Sequence, residues 1–165
     1  MTKGSLTFFC GKMGAGKSTK ARDIAQQSNA VLLSEDEWLQ SLYPSQIKSL
    51  SDYTLYSKQI KPQIKKLVQS ILLTGTHVVM DFPANTLPQR NWLKSIFTEI
   101  EAPHKLVFID VADEVCLAQI EQRRIEQPER AATDTVEMFE QVSSYFVAPA
   151  VEEGFFVTIM SKSEL

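Results

Sequence analysis

The feature that most constrains this chain is a glycine-rich segment at residues 11–18 that fits the pattern G-x-x-x-x-G-K-[ST] without deviation. It reads Gly11-Lys12-Met13-Gly14-Ala15-Gly16-Lys17-Ser18. A short apolar run precedes it, and a stretch with helical periodicity follows it. A loop between a buried strand and a helix directs successive backbone N–H groups, and the positive end of the helix, at an anion. The motif therefore predicts a strand–loop–helix unit that binds phosphate.

Each residue type in this loop has a physical task. Its three glycines let the backbone wrap closely around a ligand. The Lys17 ammonium is placed to bridge the β- and γ-phosphates of a nucleoside triphosphate, and the Ser18 hydroxyl to ligate Mg²⁺. We predict that residues 11–19, ending at Thr19, bind NTP with Mg²⁺. ATP is favoured over GTP because the chain has no N-K-x-D guanine-reading element.

Short apolar runs alternate with longer amphipathic stretches along the whole chain. We expect strands at 6–10, 30–33, 77–81, 105–110 and 155–160. We expect helices at 17–28, from Ser51 or Asp52 to Leu73 with a kink or break at Pro62, from Thr86 to about Ile100, from Asp113 to Arg124, and from Thr133 or Asp134 to Val147. This alternation predicts an α/β fold, with a parallel sheet covered by helices on both faces.

Composition narrows the class of protein. A length of 165 residues, with 44% apolar and 22% charged residues, fits one globular domain spanning 1–165. The net charge of −3 argues against a dedicated nucleic-acid binder. Two distant cysteines do not suggest a disulfide framework. The chain shows neither a signal-peptide pattern nor an apolar run of about 20 residues, so we expect a cytoplasmic protein without membrane contact.

Acidic residues at the carboxyl ends of the predicted strands are candidates for chemistry, because ligands bind at that edge of open α/β sheets. Asp81 closes an apolar strand and is expected to hold Mg²⁺ or its water shell, with a loop or substrate contact as the alternative. Asp36 is expected to accept the proton of an attacking hydroxyl. Its alternative role is the N-cap of a helix at 37–42. Glu35 is expected to face solvent or to cap that helix.

Arginines cluster where the helix after the fourth strand ends. Arg123 and Arg124 precede a polar segment that also contains Arg130. A guanidinium group here would neutralise charge on a transferring phosphoryl group, and Arg123 is the first candidate. The alternative is a favourable contact with the negative end of the helix. We call residues 125–133 the lid segment.

With these residues in hand, the chain resembles the small P-loop kinases grouped with the 5′-kinase domain of polynucleotide kinase, chloramphenicol phosphotransferase and the zeta toxins. The resemblance rests on the glycine-rich loop, on the distance from Lys17 to Asp36, and on the strings at 33–38, 79–86 and 144–155. It implies a three-layer P-loop NTPase fold with a five-stranded parallel sheet in the order 2-3-1-4-5, and a mobile lid that carries arginine. The polynucleotide kinases have an arginine shortly after their base aspartate, whereas Trp38 follows here, which argues against a nucleic-acid acceptor.

Three functions remain open at this stage. The first is an ATP-dependent kinase for a small-molecule hydroxyl, with Lys17, Asp36 and Arg123 as catalytic residues and Arg124 as an additional phosphate ligand. The second is a nucleotide-dependent ATPase switch with a protein partner. The third is a zeta-toxin-like kinase for a sugar nucleotide. The sequence does not specify the acceptor or the oligomeric state.

Overall fold

The computed structural model describes residues 2–161 and has a five-stranded sheet at its centre. The strands are β1 (Leu6–Cys10), β2 (Val31–Ser34), β3 (Val78–Pro83), β4 (His104–Ile109) and β5 (Val157–Met160). All four strand pairings are parallel, and the order is β2-β3-β1-β4-β5. The sheet order and strand direction implied by the family resemblance are confirmed.

Helices connect the strands. Within residues 2–161 they are α1 (Lys17–Ser28), α2 (Glu35–Leu42), α3 (Leu50–Leu73), α4 (Leu87–Thr98), α5 (Asp113–Glu126) and α6 (Val136–Ser143). Short 3₁₀ turns occupy Pro128–Arg130 and Val151–Glu153. None of these helices is long and apolar enough to cross a membrane.

The sheet is covered on both faces because alternate side chains of β1 enter two different apolar clusters. Leu6 and Phe8 pack with buried residues of α3 and α4. Phe9 packs on the other face with residues of α1 and α5. Each of these three β1 side chains has 0% of its surface exposed. Strands buried on both faces read as continuous apolar runs, which is why the sequence indicated their positions.

Of the kink or break predicted at Pro62, the break is wrong, because α3 is one continuous helix from Leu50 to Leu73. Ile60 and Ile64 are buried on either side of Pro62 and pack in the same apolar cluster. Packing of this face on the sheet offsets the missing backbone hydrogen bond of the proline. The helix also starts earlier than predicted, because the Ser49 side chain accepts a hydrogen bond from the amide of Asp52 at 3.0 Å and caps it.

The last helix is shorter than predicted. It runs from Val136 to Ser143 and not from Thr133 or Asp134 to Val147. Thr135 caps it by accepting a hydrogen bond from the amide of Met138 at 3.0 Å. The following segment leaves the helix and docks on the end of β3, where the amide of Val147 donates to the carbonyl of Asn85 at 2.8 Å.

Candidate active site

The glycine-rich loop leaves β1 at the carboxyl edge of the sheet and enters α1 through left-handed backbone positions. Gly14 has φ of 81° and Gly16 has φ of 103°. A side chain at Gly14 would also place its Cβ 2.6 Å from the carbonyl oxygen of Cys116 on α5. Position 14 therefore requires glycine for both conformation and space. These constraints fix the loop as a close-fitting turn against α5.

A buried amide side chain that the sequence analysis missed anchors the start of this loop. The Oδ1 atom of Asn85, just after β3, accepts a hydrogen bond from the amide of Gly11 at 2.8 Å. The backbone N–H of Asn85 in turn donates to the side-chain oxygen of Gln89 at 2.8 Å. Asn85 is 8% exposed, so little water reaches this contact. It ties the loop to the strand that carries Asp81.

Lys17, the first residue of α1, folds back over the loop. Its Nζ donates to the carbonyl of Gly11 at 2.5 Å and reaches that of Lys12 at 3.5 Å. Burial lowers the pKa of Lys17 below its ordinary value, and the negative charge of Asp81 opposes this shift. A poorly solvated ammonium with only carbonyl partners gains from an anionic ligand. The lysine is thus placed for phosphate.

The pair formed by Ser18 and Asp81 joins α1 to the end of β3. The Ser18 hydroxyl donates to Oδ2 of Asp81 at 2.7 Å. Burial raises the pKa of Asp81, while the bond from Ser18 and the charge of Lys17 lower it. A hydroxyl and a carboxylate are hard oxygen ligands that suit Mg²⁺ bound together with substrate phosphates. This donor set therefore fits the metal that the sequence predicts.

The remaining residues of the loop are held by their neighbours. The Nζ of Lys12 pairs with Asp113 at 2.9 Å and lies 5.5 Å from the ring centre of Phe146. Met13 packs against the apolar cluster on the α5 side of the sheet, and Ala15 is buried in that cluster. Thr19 is exposed on α1. Lys12 is therefore directed towards α5, while Lys17 lies over the loop.

Asp36 lies in the first turn of α2, with its side chain 59% exposed. The N-cap role offered as its alternative is wrong, because the cap of α2 is Ser34, whose Oγ accepts from the amide of Glu37 at 3.4 Å. The Asp36 carboxylate therefore does not cap the helix. The negative charge of Asp36 acts to raise the pKa of both Lys17 and Asp81.

The expectation that Glu35 faces solvent or caps α2 is also wrong. Glu35 is 3% exposed and accepts hydrogen bonds from the hydroxyls of Tyr53 and Ser57, the second at 2.8 Å. Burial raises the pKa of Glu35, and these hydrogen bonds and Lys61 counter the rise. Both donors lie on α3, so Glu35 locks the start of α2 onto that helix. This contact fixes the backbone from which Asp36 projects.

A second buried carboxylate organises the arginines. Asp134 is 1% exposed and accepts from Nε and Nη2 of Arg123 at 2.7 and 2.8 Å. Its Oδ2 also accepts from Nε of Arg130 at 2.9 Å. The sequence analysis regarded Asp134 only as a helix cap. The spacing of four residues between Arg130 and Asp134 was the sequence signal for the contact between these two residues.

Of the three candidate arginines, Arg130 is the one that faces Asp36. Both of its terminal nitrogens lie 3.5 Å from Oδ2 of Asp36. Burial alone would lower the pKa of Arg130, but Asp36 and Asp134 raise it above its ordinary value. Arg123, the first candidate, is held by Asp134. Arg124 pairs with Glu121 at 3.3 Å, and its buried Nε has no hydrogen-bond partner.

Asp36 and Arg130 line opposite sides of a cleft between α2 and the lid segment. The cleft has a volume of about 450 Å³. Its lining residues are Asp36, Glu37, Gln40, Ser41, Gln127, Glu129 and Arg130. A volume of this order holds a small molecule. The cleft therefore offers a candidate binding region in addition to the phosphate loop.

Comparison with known proteins agrees with the fold. A family model, AAA_33, described as AAA domain, matches residues 6–148. Curated proteins give no significant match. A proposed kinase from Chloroflexus aurantiacus superposes with a TM-score of 0.76 at 17% identity, covering 99% of this chain and 87% of that chain.

Two other similar structures contain nucleotide analogues. The APS kinase CysC of Mycobacterium tuberculosis, in complex with AMPPNP and APS, has a TM-score of 0.63 at 16% identity, covering 98% of this chain and 90% of its own. Kti12 of Chaetomium thermophilum, in complex with ADP-AlF3, has a TM-score of 0.67 at 16% identity. The match covers 95% of this chain and 89% of Kti12. At these identities the likeness shows a shared P-loop kinase-like fold.

Proposed function

The chain belongs to the family described as AAA domain, AAA_33, and from that premise we propose that it is an ATP-dependent kinase acting on a small molecule. The reaction would transfer the γ-phosphoryl group of ATP to a hydroxyl of the acceptor. One observation carries the proposal. Asp36 and Arg130 lie 3.5 Å apart in a cleft between α2 and the lid segment, and the charge of Asp36 also acts on Lys17 of the phosphate loop. A phosphate site alone would not require such a cleft.

The phosphate loop, together with the oxygens of Ser18 and Asp81, would bind the phosphates and the metal ion. Backbone amides of the loop and the Lys17 ammonium would bind the β- and γ-phosphates. The oxygens of Ser18 and Asp81 would hold Mg²⁺, which when bound neutralises phosphate charge. The tie between Asn85 and Gly11 keeps the loop in place before nucleotide arrives. Most of the rate gain would come from this positioning and charge stabilisation.

The acceptor side falls to Asp36. Its exposed carboxylate would accept the proton of the acceptor hydroxyl and orient the oxygen for in-line attack. The terminal nitrogens of Arg130, 3.5 Å from Oδ2 of Asp36, would hold that carboxylate in position. Arg123, held by Asp134, would stabilise negative charge on the transferring group. Arg124 remains an additional candidate ligand for phosphate.

The experiment that tests this proposal is the substitution Asp36→Asn, which keeps size and shape but removes the base. We expect acceptor-dependent ADP release to fall by at least about 10²-fold, as for loss of a general base. Affinity for Mg²⁺–ATP, measured by calorimetry, should stay within a few-fold. Acceptors would come from a metabolite library, with Lys17→Ala as the blank.

Asp23→Asn, which removes an exposed carboxylate from α1, is the matched control and should leave turnover intact. Normal turnover in Asp36→Asn would show that the base assignment is wrong. ATP hydrolysis that no hydroxyl compound stimulates would favour a nucleotide-dependent switch over a kinase.

A further inference from the structure

The charges that line the cleft carry information about its ligand. Three acidic residues, Asp36, Glu37 and Glu129, line the space between α2 and the lid segment, against one basic residue, Arg130. Two negative charges are therefore uncompensated within the set of residues that line the cleft. Both Glu37 and Glu129 are exposed.

We propose that the acceptor is an uncharged or positively charged hydroxyl compound, such as a polyol, an amino alcohol or an amino sugar, and not a phosphorylated or carboxylated one. The inference rests on the proposed kinase function and specifies the substrate class of the same cleft. It concerns charge, a property that the family membership leaves open.

Arg130 does not offset this charge, because it is already engaged. Its Nε donates to the buried carboxylate of Asp134 at 2.9 Å, and its terminal nitrogens lie 3.5 Å from Asp36. An acceptor phosphate that recruited Arg130 would have to break these contacts and leave Asp134 short of a partner. Removing one partner from a buried charge is costly. An anionic acceptor would thus meet two free carboxylates without a free cation.

The rest of the lining suits hydroxyl groups. Gln40, Ser41 and Gln127 contribute side-chain amides and a hydroxyl, which donate and accept hydrogen bonds. Carboxylates accept hydrogen bonds from hydroxyls and bind ammonium groups more strongly. A volume of about 450 Å³ agrees with a compound of metabolite size. This lining matches a compound rich in hydroxyls, with or without an amine.

Bound ATP strengthens the discrimination, because its triphosphate adds negative charge next to the acceptor. Each solvent-exposed charge pair changes affinity by roughly two- to fivefold. Two uncompensated carboxylates therefore predict a preference of about tenfold for a neutral acceptor over its anionic counterpart. Screening by salt should reduce this preference, because the cleft is open to solvent.

The test measures acceptor-dependent ADP release with the complete chain. Its probes are three classes of compound matched in carbon skeleton: neutral polyols and sugars, amino alcohols and amino sugars, and sugar phosphates and sugar acids. We expect the active acceptors in the first two classes, with kcat/KM at least about tenfold above the anionic counterpart at low salt. The ratio should shrink as salt is added.

The charge-removal variant Glu37→Gln with Glu129→Gln gives a second readout. It should lower the neutral-to-anionic ratio of kcat/KM to about threefold or less. Glu101→Gln is the matched control, because Glu101 is exposed in the turn before β4, at the opposite edge of the sheet. That control should keep the full ratio.

The outcomes separate the two proposals. An anionic compound as the best acceptor would overturn the charge inference and leave the kinase in place. The same holds if the double variant keeps the full ratio. Normal binding of Mg²⁺–ATP with no response to any class would overturn the kinase proposal itself, and the acceptor inference with it.

Discussion

Asp134 is buried under the lid segment and holds two guanidinium groups with one carboxylate. Arg123 and Arg130, its partners, keep 28% and 22% of their side chains exposed. Arg130 then reaches Asp36. A chain of charges therefore runs from the buried carboxylate to the proposed base. Asp134 does not touch the cleft, so it acts as a positioning residue for the two arginines.

Asp134→Asn tests this role, because it removes the charge and keeps the shape. We expect kcat for acceptor phosphorylation to fall about tenfold or more, since both arginines lose their fixed direction. ATP affinity should stay within about threefold. The free energy of unfolding should drop by about 1–3 kcal/mol, because a buried ion pair is broken while the arginines stay partly solvated.

Turnover and calorimetry below the melting temperature separate positioning from mere stability. Glu137→Gln removes an exposed carboxylate on α6 and is the control. If folded Asp134→Asn protein kept its full kcat, the carboxylate would serve only stability.

Single residues also show where sequence reasoning stops. Lys17 and Ser18 were identifiable because one contiguous motif dictates their neighbours. Asn85 was not, because its partner Gly11 lies 74 positions away. Glu35 was misassigned because a charged residue at a helix start is ordinarily exposed. Its burial depends on two hydroxyls from α3 that only the tertiary fold brings close.

At the scale of elements, α3 shows that burial of apolar side chains can maintain a helix through a residue of low helix propensity. Five buried side chains lie along one face of the helix on both sides of Pro62. Pro62 itself is exposed. The proline therefore weakens the helix without touching the core. The prediction of a kink or break rested on the missing N–H group of Pro62. The packing of α3 on the sheet, which offsets the lost hydrogen bond, cannot be judged from the sequence.

Pro62→Ala should therefore stabilise the protein. A proline in a helix interior is about 3 kcal/mol less favourable than alanine. Alanine also gives the unfolded chain more conformational freedom, which reduces the gain in stability by roughly 0.4–1 kcal/mol. We expect the free energy of unfolding to rise by about 1–3 kcal/mol in urea titrations, with kcat unchanged. Gln63→Ala, at the exposed neighbouring position, should change it by less than about 0.5 kcal/mol. A destabilised Pro62→Ala protein would mean that α3 uses the proline in a way its packing does not show.

Across the whole molecule, the alternation of strands and helices was enough to predict the parallel sheet and its two helical faces. Strand order required the family resemblance, because alternation alone fits more than one order of parallel strands. The carboxyl edge then brings together β1, β3 and the start of α2, and with them Lys17, Asp81 and Asp36. The contact of Arg130 with Asp36 depends on how the lid segment folds back over that edge, which no local pattern encodes.

Because the site draws on β1, β3, α1 and the lid segment, nucleotide binding should stabilise the whole fold. At Mg²⁺–ATP about 100-fold above its dissociation constant, linkage predicts about 2.7 kcal/mol of added stability. For a chain of this size that corresponds to a rise in melting temperature of roughly 5–10 °C.

Differential scanning fluorimetry measures this rise in melting temperature. We expect removal of different groups of the site to change the rise in different ways. Chelating the Mg²⁺ with EDTA should remove most of the shift, because the oxygens of Ser18 and Asp81 then have no cation to share with the phosphates. Lys17→Ala should abolish it, whereas Asp36→Asn should retain it, since Asp36 is proposed to serve the acceptor and not the nucleotide. Loss of the shift in Asp36→Asn would place that carboxylate in the nucleotide site. An unchanged melting temperature in the native chain at saturating Mg²⁺–ATP would contradict phosphate binding by the loop.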